Sequence, residues 1–182
     1  MEPLNQRFCK KEEDVPSFVP PGQFVIHETE HWWVNHRCDT IYPGYLMVGS
    51  KDPKGASLCD LSVAAQAELG PLLARSGKLL QEYLDAVRVY DGRYGHQPGH
   101  TVHYHVIPVY DWTISAYWKD DRYRSLAQFY GDGGATSPSN FDGADMTLFI
   151  WRTFGEPGVE PPKIAGPSVD DVVETLRNRF EE

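Results

Sequence analysis

Apolar positions along the chain recur with two different periods, and the switches between them divide it into elements. Residues 23–28 (QFVIHE), 30–36 (EHWWVNH) and 45–49 (YLMVG) are short apolar-rich runs that predict three strands, with Thr29 at the first turn. Pro43-Gly44 closes the loop that begins at Cys38, and a second turn spans 51–55. From 61 to 87 the period lengthens. Leu69, Leu72, Leu73, Leu80, Tyr83, Leu84 and Val87 recur every three to four residues and predict an amphipathic helix. Ser62 is its expected N-cap, and Asp60 suits its positive end. Gly70-Pro71 predicts a kink or two abutting helices, because proline lacks the N–H and crowds the preceding turn.

Residues 86–91 and 101–110 then predict strands four and five, and 114–130 a helix. The run 131–140 (GDGGATSPSN) is loop, and lacks the Gly-Lys-Ser/Thr ending of a phosphate loop. Residues 146–154 (MTLFIWRTF) predict a sixth strand. A proline-rich connector leads to a last helix, where Ser168 and Asp171 have capping-box spacing ahead of Val169, Val172, Val173, Leu176 and Phe180. Residues 1–22 hold four prolines and predict an extended arm. Hairpin strands, one long crossover helix and peripheral helices together predict an α+β fold around a mostly antiparallel sheet. At 182 residues one domain is expected.

Charge and cysteine narrow the function classes. A net charge of −9 argues against polymeric nucleic acid, whose backbone needs a basic face. A mononucleotide needs only a local cluster of donors, and Arg93, Lys51 or Arg152 are candidates. No apolar run approaches the ~18–20 residues that cross a bilayer, so no membrane partner is expected. The N-terminus lacks the basic-then-apolar pattern of a signal peptide, and Cys9, Cys38 and Cys59 are widely spaced without a Cys-x-x-Cys, so a reducing, cytoplasmic setting is the expectation.

The candidate chemistry is concentrated in residues 96–105, HQPGHTVHYH, which hold four of the seven histidines. Strand alternation puts Thr101, His103, His105 and Ile107 on one face, and Val102, Tyr104 and Val106 on the other. Two imidazoles about 7 Å apart on one strand face suit a catalytic wall better than packing. Four readings compete: structural histidines on an edge strand, a metal site built on His-x-His, a nucleophilic histidine attacking phosphorus, and non-covalent acid–base catalysis with a His-Thr motif. The metal reading wants a third ligand close by, and the next acid is Asp111. The acid–base reading wants a second copy of the His100-Thr101 motif, which the chain lacks. For the nucleophile, one nitrogen must face the phosphate while a hydrogen bond holds the other, and a neighbouring imidazole can steady the phosphate oxygens.

The stretch Pro98-Gly-His-Thr-Val-His103-Tyr-His105-Val-Ile-Pro108 resembles the motif of the histidine-triad family of nucleotide hydrolases and transferases, which alternates histidine with hydrophobic residues. The resemblance extends back through Asn35 to Val48, with Tyr42-Pro43-Gly44-Tyr45, and through Asp60-Leu61-Ser62 at the helix start. It covers roughly 23–112, expected to be the domain core; 113–182, including Asp142-Gly143 and the 146–154 strand, looks like an extension packed on it.

The resemblance implies that His103 is the nucleophile and that His105 hydrogen-bonds the phosphate. The family's first histidine falls on Thr101, so His100 or His96, in the loop that opens the strand, would supply the missing imidazole. Tyr45 stands where many members carry histidine after the proline-glycine. Trp33, Ile41 and Leu46 become candidates for stacking on the base, with Asn35, Tyr45 and Thr101 further nucleotide-binding candidates and Asp39 an acceptor for ribose hydroxyls. The implied activity is cleavage of a nucleotide phosphoanhydride or phosphoramidate, such as a dinucleoside polyphosphate, through a covalent nucleotidyl-histidine, with no cofactor or metal and commonly as a homodimer. A non-catalytic nucleotide-binding module is the rival, and a metal-dependent enzyme a third reading.

Overall fold

A computed structural model describes residues 19–53, 55–95, 101–124, 141–156, 158, 160–164 and 166–182. Among them, strands β1 (Val25–Glu28), β2 (Trp32–His36), β3 (Leu46–Ser50), β4 (Arg88–Gly92) and β5 (His103–Val109) form one sheet in the order β1-β2-β3-β5-β4, every pair antiparallel. The α+β expectation holds. Helix α1 (Val63–Leu84) carries the chain from β3 to the far edge at β4, and α2 (Asp111–Lys119), α3 (Asp121–Arg124), α4 (Gly143–Phe154) and α5 (Val169–Phe180) follow.

The pleat divides the strands as their sequence alternation requires. Trp32, Val34, Leu46, Val48 and Val106 are buried on one face, under the Ala65, Leu69, Leu72, Leu79 and Leu80 stripe of α1 and the Val172, Val173, Leu176 and Phe180 stripe of α5. Trp32 Nε1 donates to the Ala65 carbonyl at 2.8 Å, and Arg177 Nε donates to the Val25 carbonyl at 3.0 Å, so both helices are tied to the sheet by directed bonds as well as by packing. Both expected caps are present: Ser62 accepts from the Ala65 N–H, and Ser168 and Asp171 form a reciprocal capping box.

Pro71 does not split α1 into two helices. One helix runs through it, because the ring lies on the exposed side, where water can satisfy the carbonyl that loses its donor. The larger correction concerns 146–154, expected as a sixth strand and found within α4. Asp142 Oδ1 accepts from the Ala144 N–H at 2.7 Å, and Met146, Phe149, Ile150 and Phe154 fall at helical spacing against Tyr117, Tyr123 and Trp112. The N-cap and this period outweigh strand propensity. The helix expected over 114–130 starts at Asp111 and is interrupted at Asp120, whose carboxylate binds the Arg122 N–H and guanidinium; 125–130, the loop 131–140 and nearly all of the N-terminal arm lie outside the described residues.

The loop between β2 and β3 is pinned from below. Gly44 has φ +73°, and a Cβ there would meet Leu80 Cδ2 at 2.7 Å, so the Pro43-Gly44 turn requires glycine. The Tyr110 hydroxyl donates to the Pro43 carbonyl at 2.8 Å, and the Thr40 hydroxyl to the Phe154 carbonyl at 2.7 Å. Among the described residues no helix is long and apolar enough to cross a membrane.

Candidate active site

The other sheet face is where the histidines lie. Strand pairing lines up Asn35, Met47, His105 and Gly92 in one row, and Trp33, Gly49 and His103 in the next. Gly49 pairs with His103 and Gly92 with His105, Tyr94 packs its ring 5.2 Å from that of His105, and the two imidazoles sit edge to face with centroids 5.3 Å apart. A cleft of about 290 Å³ opens over these rows. Trp33, Asn35, Asp39, Thr101, His103 and His105 all line it, so six of the sequence candidates converge; Arg37, Cys38, Met47, Gly49 and Ser50 complete the wall.

His103 Nδ1 lies 2.9 Å from the Thr101 carbonyl. A carbonyl only accepts, so the neutral ring carries its proton on Nδ1 and its lone pair on Nε2. Gly95 packs on that nitrogen: a methyl group added there would sit 3.1 Å from Nε2. His105 Nδ1 is hydrogen-bonded to the Tyr45 hydroxyl at 2.9 Å. Burial, then the neighbouring His103 and the positive Arg37, push the His105 pKa down to about 3, so the ring is neutral across the physiological range. Burial raises the Tyr45 phenol to about 12, which keeps its proton in place for donation.

Arg37 is a site residue that sequence reasoning missed. Its Nε and Nη2 grip both oxygens of Asp39 at 2.5 and 2.9 Å, and its Cζ stands 5.0 Å from the Tyr45 ring centroid. Buried Nη1 has no hydrogen-bond partner among the described residues. The alternation Trp33, Asn35, Arg37 already pointed to it, since the β2 period continued by two residues puts Arg37 on the histidine face. The candidate cations named from sequence lie elsewhere. Lys51 bonds the Thr29 carbonyl at 2.5 Å and covers Trp33 with its Nζ 4.2 Å from the ring centroid; Arg93 bonds the Ala56 carbonyl; Arg152 is on the exposed side of α4.

Two stacking candidates are corrected. Leu46 is fully buried on the opposite face, because one residue of register decides the face, and Ile41 is exposed in the β2–β3 loop, outside the cleft. Tyr45 does not line the 290 Å³ cleft; it holds His105 from the side, facing a second cavity of about 420 Å³. Asp39 reaches the cleft with both oxygens already on Arg37. Asn35 commits Nδ2 to the His36 carbonyl at 2.8 Å. His96 and His100 lie outside the described residues. Among the described residues no three His, Cys, Asp or Glu side chains are grouped to hold a metal ion.

No family model matches the chain, and no curated protein matches it. Its backbone is similar to several solved structures. The C. elegans NitFhit protein superposes with 23% identity and TM-score 0.44 over 51% of this chain, which spans only 23% of that one. A histidine triad protein from Bradyrhizobium japonicum superposes with 18% identity and TM-score 0.42, covering 74% of this chain and 94% of that one. A hypothetical histidine triad nucleotide-binding protein from Sulfolobus tokodaii strain 7 superposes with 12% identity and TM-score 0.43, covering 85% and 84%.

Proposed function

We propose that this protein is a nucleotidyl hydrolase or transferase that cleaves a nucleotide phosphoanhydride or phosphoramidate through a covalent nucleotidyl-histidine at His103. The observation that carries the reading is the bond from His103 Nδ1 to the Thr101 carbonyl, in a residue whose side chain lines the cleft. That bond sets the tautomer an attacking imidazole needs, and it stabilises the positive charge the ring acquires as Nε2 bonds phosphorus.

The neighbours supply the rest of the chemistry. With the Tyr45 hydroxyl donating to Nδ1, His105 carries its proton on Nε2, as a neutral donor for a phosphate oxygen. A donor of this kind is worth roughly 3 kcal/mol in the transition state. Arg37 stands beside it, its charge shared with Asp39 and its Nη1 without a hydrogen-bond partner among the described residues. Trp33, held by Lys51, and Met47 offer the base an apolar surface, and Asn35 with Asp39 offers polar groups at the same wall. In the first step the P–X bond breaks as the P–N bond forms; water then cleaves the P–N bond and releases the mononucleotide.

The test is incubation with diadenosine polyphosphates and adenosine phosphoramidates, followed for AMP release and for an acid-labile adenylyl adduct. Wild type is expected to yield both, and His103→Ala neither. Equal turnover in His103→Ala overturns the proposal. A binding-only module is the second reading, favoured by Thr101 standing in the cleft where a third imidazole is expected. It predicts nucleotide binding with neither product nor adduct.

A further inference from the structure

The 420 Å³ cavity shares two residues, Arg37 and His105, with the cleft over His103. Both spaces are therefore walled by His105, the group assigned to the phosphate. Tyr45 and Ile107 of the sheet and Tyr94 line one side of the second cavity. The other side is one face of α4, with Ala144, Thr147, Leu148 and Trp151 at positions i, i+3, i+4 and i+7.

Helix α4 is thus apolar on two faces. Met146, Phe149, Ile150 and Phe154 are buried against the aromatic residues of α2 and α3, which accounts for that stripe. The second stripe remains partly uncovered: Leu148 is 38% exposed and Trp151 half-buried. The hydroxyls around the cavity are already committed within the protein. Tyr94 donates to Thr147 Oγ1 at 3.2 Å, Thr147 donates to the Ala144 carbonyl at 3.0 Å, and Tyr45 is bonded to His105. An occupant meets hydrocarbon and ring surface, with charge only at the boundary, where Arg37 stands beside the neutral His105. A second nucleotide, with its polar base edge and several ribose hydroxyls, would lose more water there than Arg37 alone replaces.

We propose that this cavity is the leaving-group subsite, and that it selects an apolar alkyl or aryl group joined to the nucleotide phosphate through nitrogen or oxygen. This rests on the phosphate position assigned above and names the substrate class of that site. His103 Nε2 displaces the amine or alcohol, which leaves with the P–N or P–O bonding pair and takes a proton from solvent. Water then cleaves the phosphohistidine, so one water is consumed per mononucleotide released.

The experiment compares adenosine and guanosine 5′-phosphate phenethylamidates with the 2-methoxyethylamidates. Both kcat/KM for hydrolysis and equilibrium binding to His103→Ala are measured, in the full chain and in Leu148→Asn. Leu148 is exposed enough for that substitution to fold, and circular dichroism checks it. The expected result is at least ~10-fold preference for the phenethyl conjugate in both measurements, reduced severalfold by Leu148→Asn. Trp151→Ala is expected to shift the same ratio. Hydrolysis with no apolar preference overturns the subsite and leaves the catalytic reading standing. An apolar preference in binding without hydrolysis supports the subsite and overturns catalysis. No binding of either conjugate overturns both.

Discussion

The Tyr45 hydroxyl lies 2.9 Å from Nδ1 of His105, joining residues 60 positions apart, one just before β3 and the other on β5. Tyr45 follows the Pro43-Gly44 turn, so the bond links a loop conformation only glycine permits to the orientation of a site imidazole. Tyr45→Phe keeps the packing and removes the oxygen. An unpaired Nδ1 on a largely buried ring costs about 1–3 kcal/mol. A lower Tm is expected, with kcat/KM down about tenfold or more because His105 loses the partner that directs its proton to Nε2. Thermal melts and hydrolysis rates check the two effects separately.

The same ring gives a stability profile with a definite sign. Folded His105 stays neutral down to about pH 3, whereas a solvated histidine takes up a proton near ~6.5. Between those values the unfolded chain binds more protons, so this contribution is complete above ~6.5 and is lost as pH falls toward 3. The slope attributable to one such group reaches at most ~1.4 kcal/mol per pH unit. Burial also lowers the pKa of His36, which contributes in the same direction. Urea denaturation between pH 4 and 7.5 is expected to show a shallower acid-side loss in His105→Gln than in wild type. Equal slopes would mean the ring is solvated.

Gly49 offers a way to fill the cleft without straining the sheet. A Cβ there meets only His103 Cβ, at 3.9 Å, and valine suits a strand. Gly49→Val is expected to keep the wild-type Tm or raise it slightly, while mononucleotide affinity falls about tenfold or more as the side chain occupies the floor between Trp33 and His103. Calorimetric titration with AMP and GMP measures it. Undiminished affinity would place the nucleotide elsewhere.

Gly95 tests the nucleophile from above. Its added methyl would press on His103 Nε2 at 3.1 Å, displacing the ring by a few tenths of an ångström. Gly95→Ala is expected to lower kcat more than it raises KM, since misplacing a reacting atom costs transition-state alignment first. Steady-state kinetics on a phosphoramidate separates the two parameters. A change confined to KM would argue against attack by this nitrogen.

Much of the site was legible from one property of strands, the two-residue period. It puts Thr101, His103 and His105 on one face and Val102 and Val106 in the core, and the structure keeps that division. The same rule reaches Arg37 from Trp33 and Asn35, although the strand ends at His36 and the reading stopped there. Leu46 was misplaced by one residue of register, and the 146–154 run by a competition between propensity and period that the Asp142 cap decides.

The amino-acid sequence by itself determined the α+β class, the crossover helix with its caps, and which histidines share a face, because each depends on residues only a few positions apart. The tertiary structure alone decided that Tyr45 holds His105, that Arg37 lines both cavities, and that α4 lines the second. Those contacts join β2, β3, β5 and α4, and a local period carries no information about which strands pair or where a helix comes to rest.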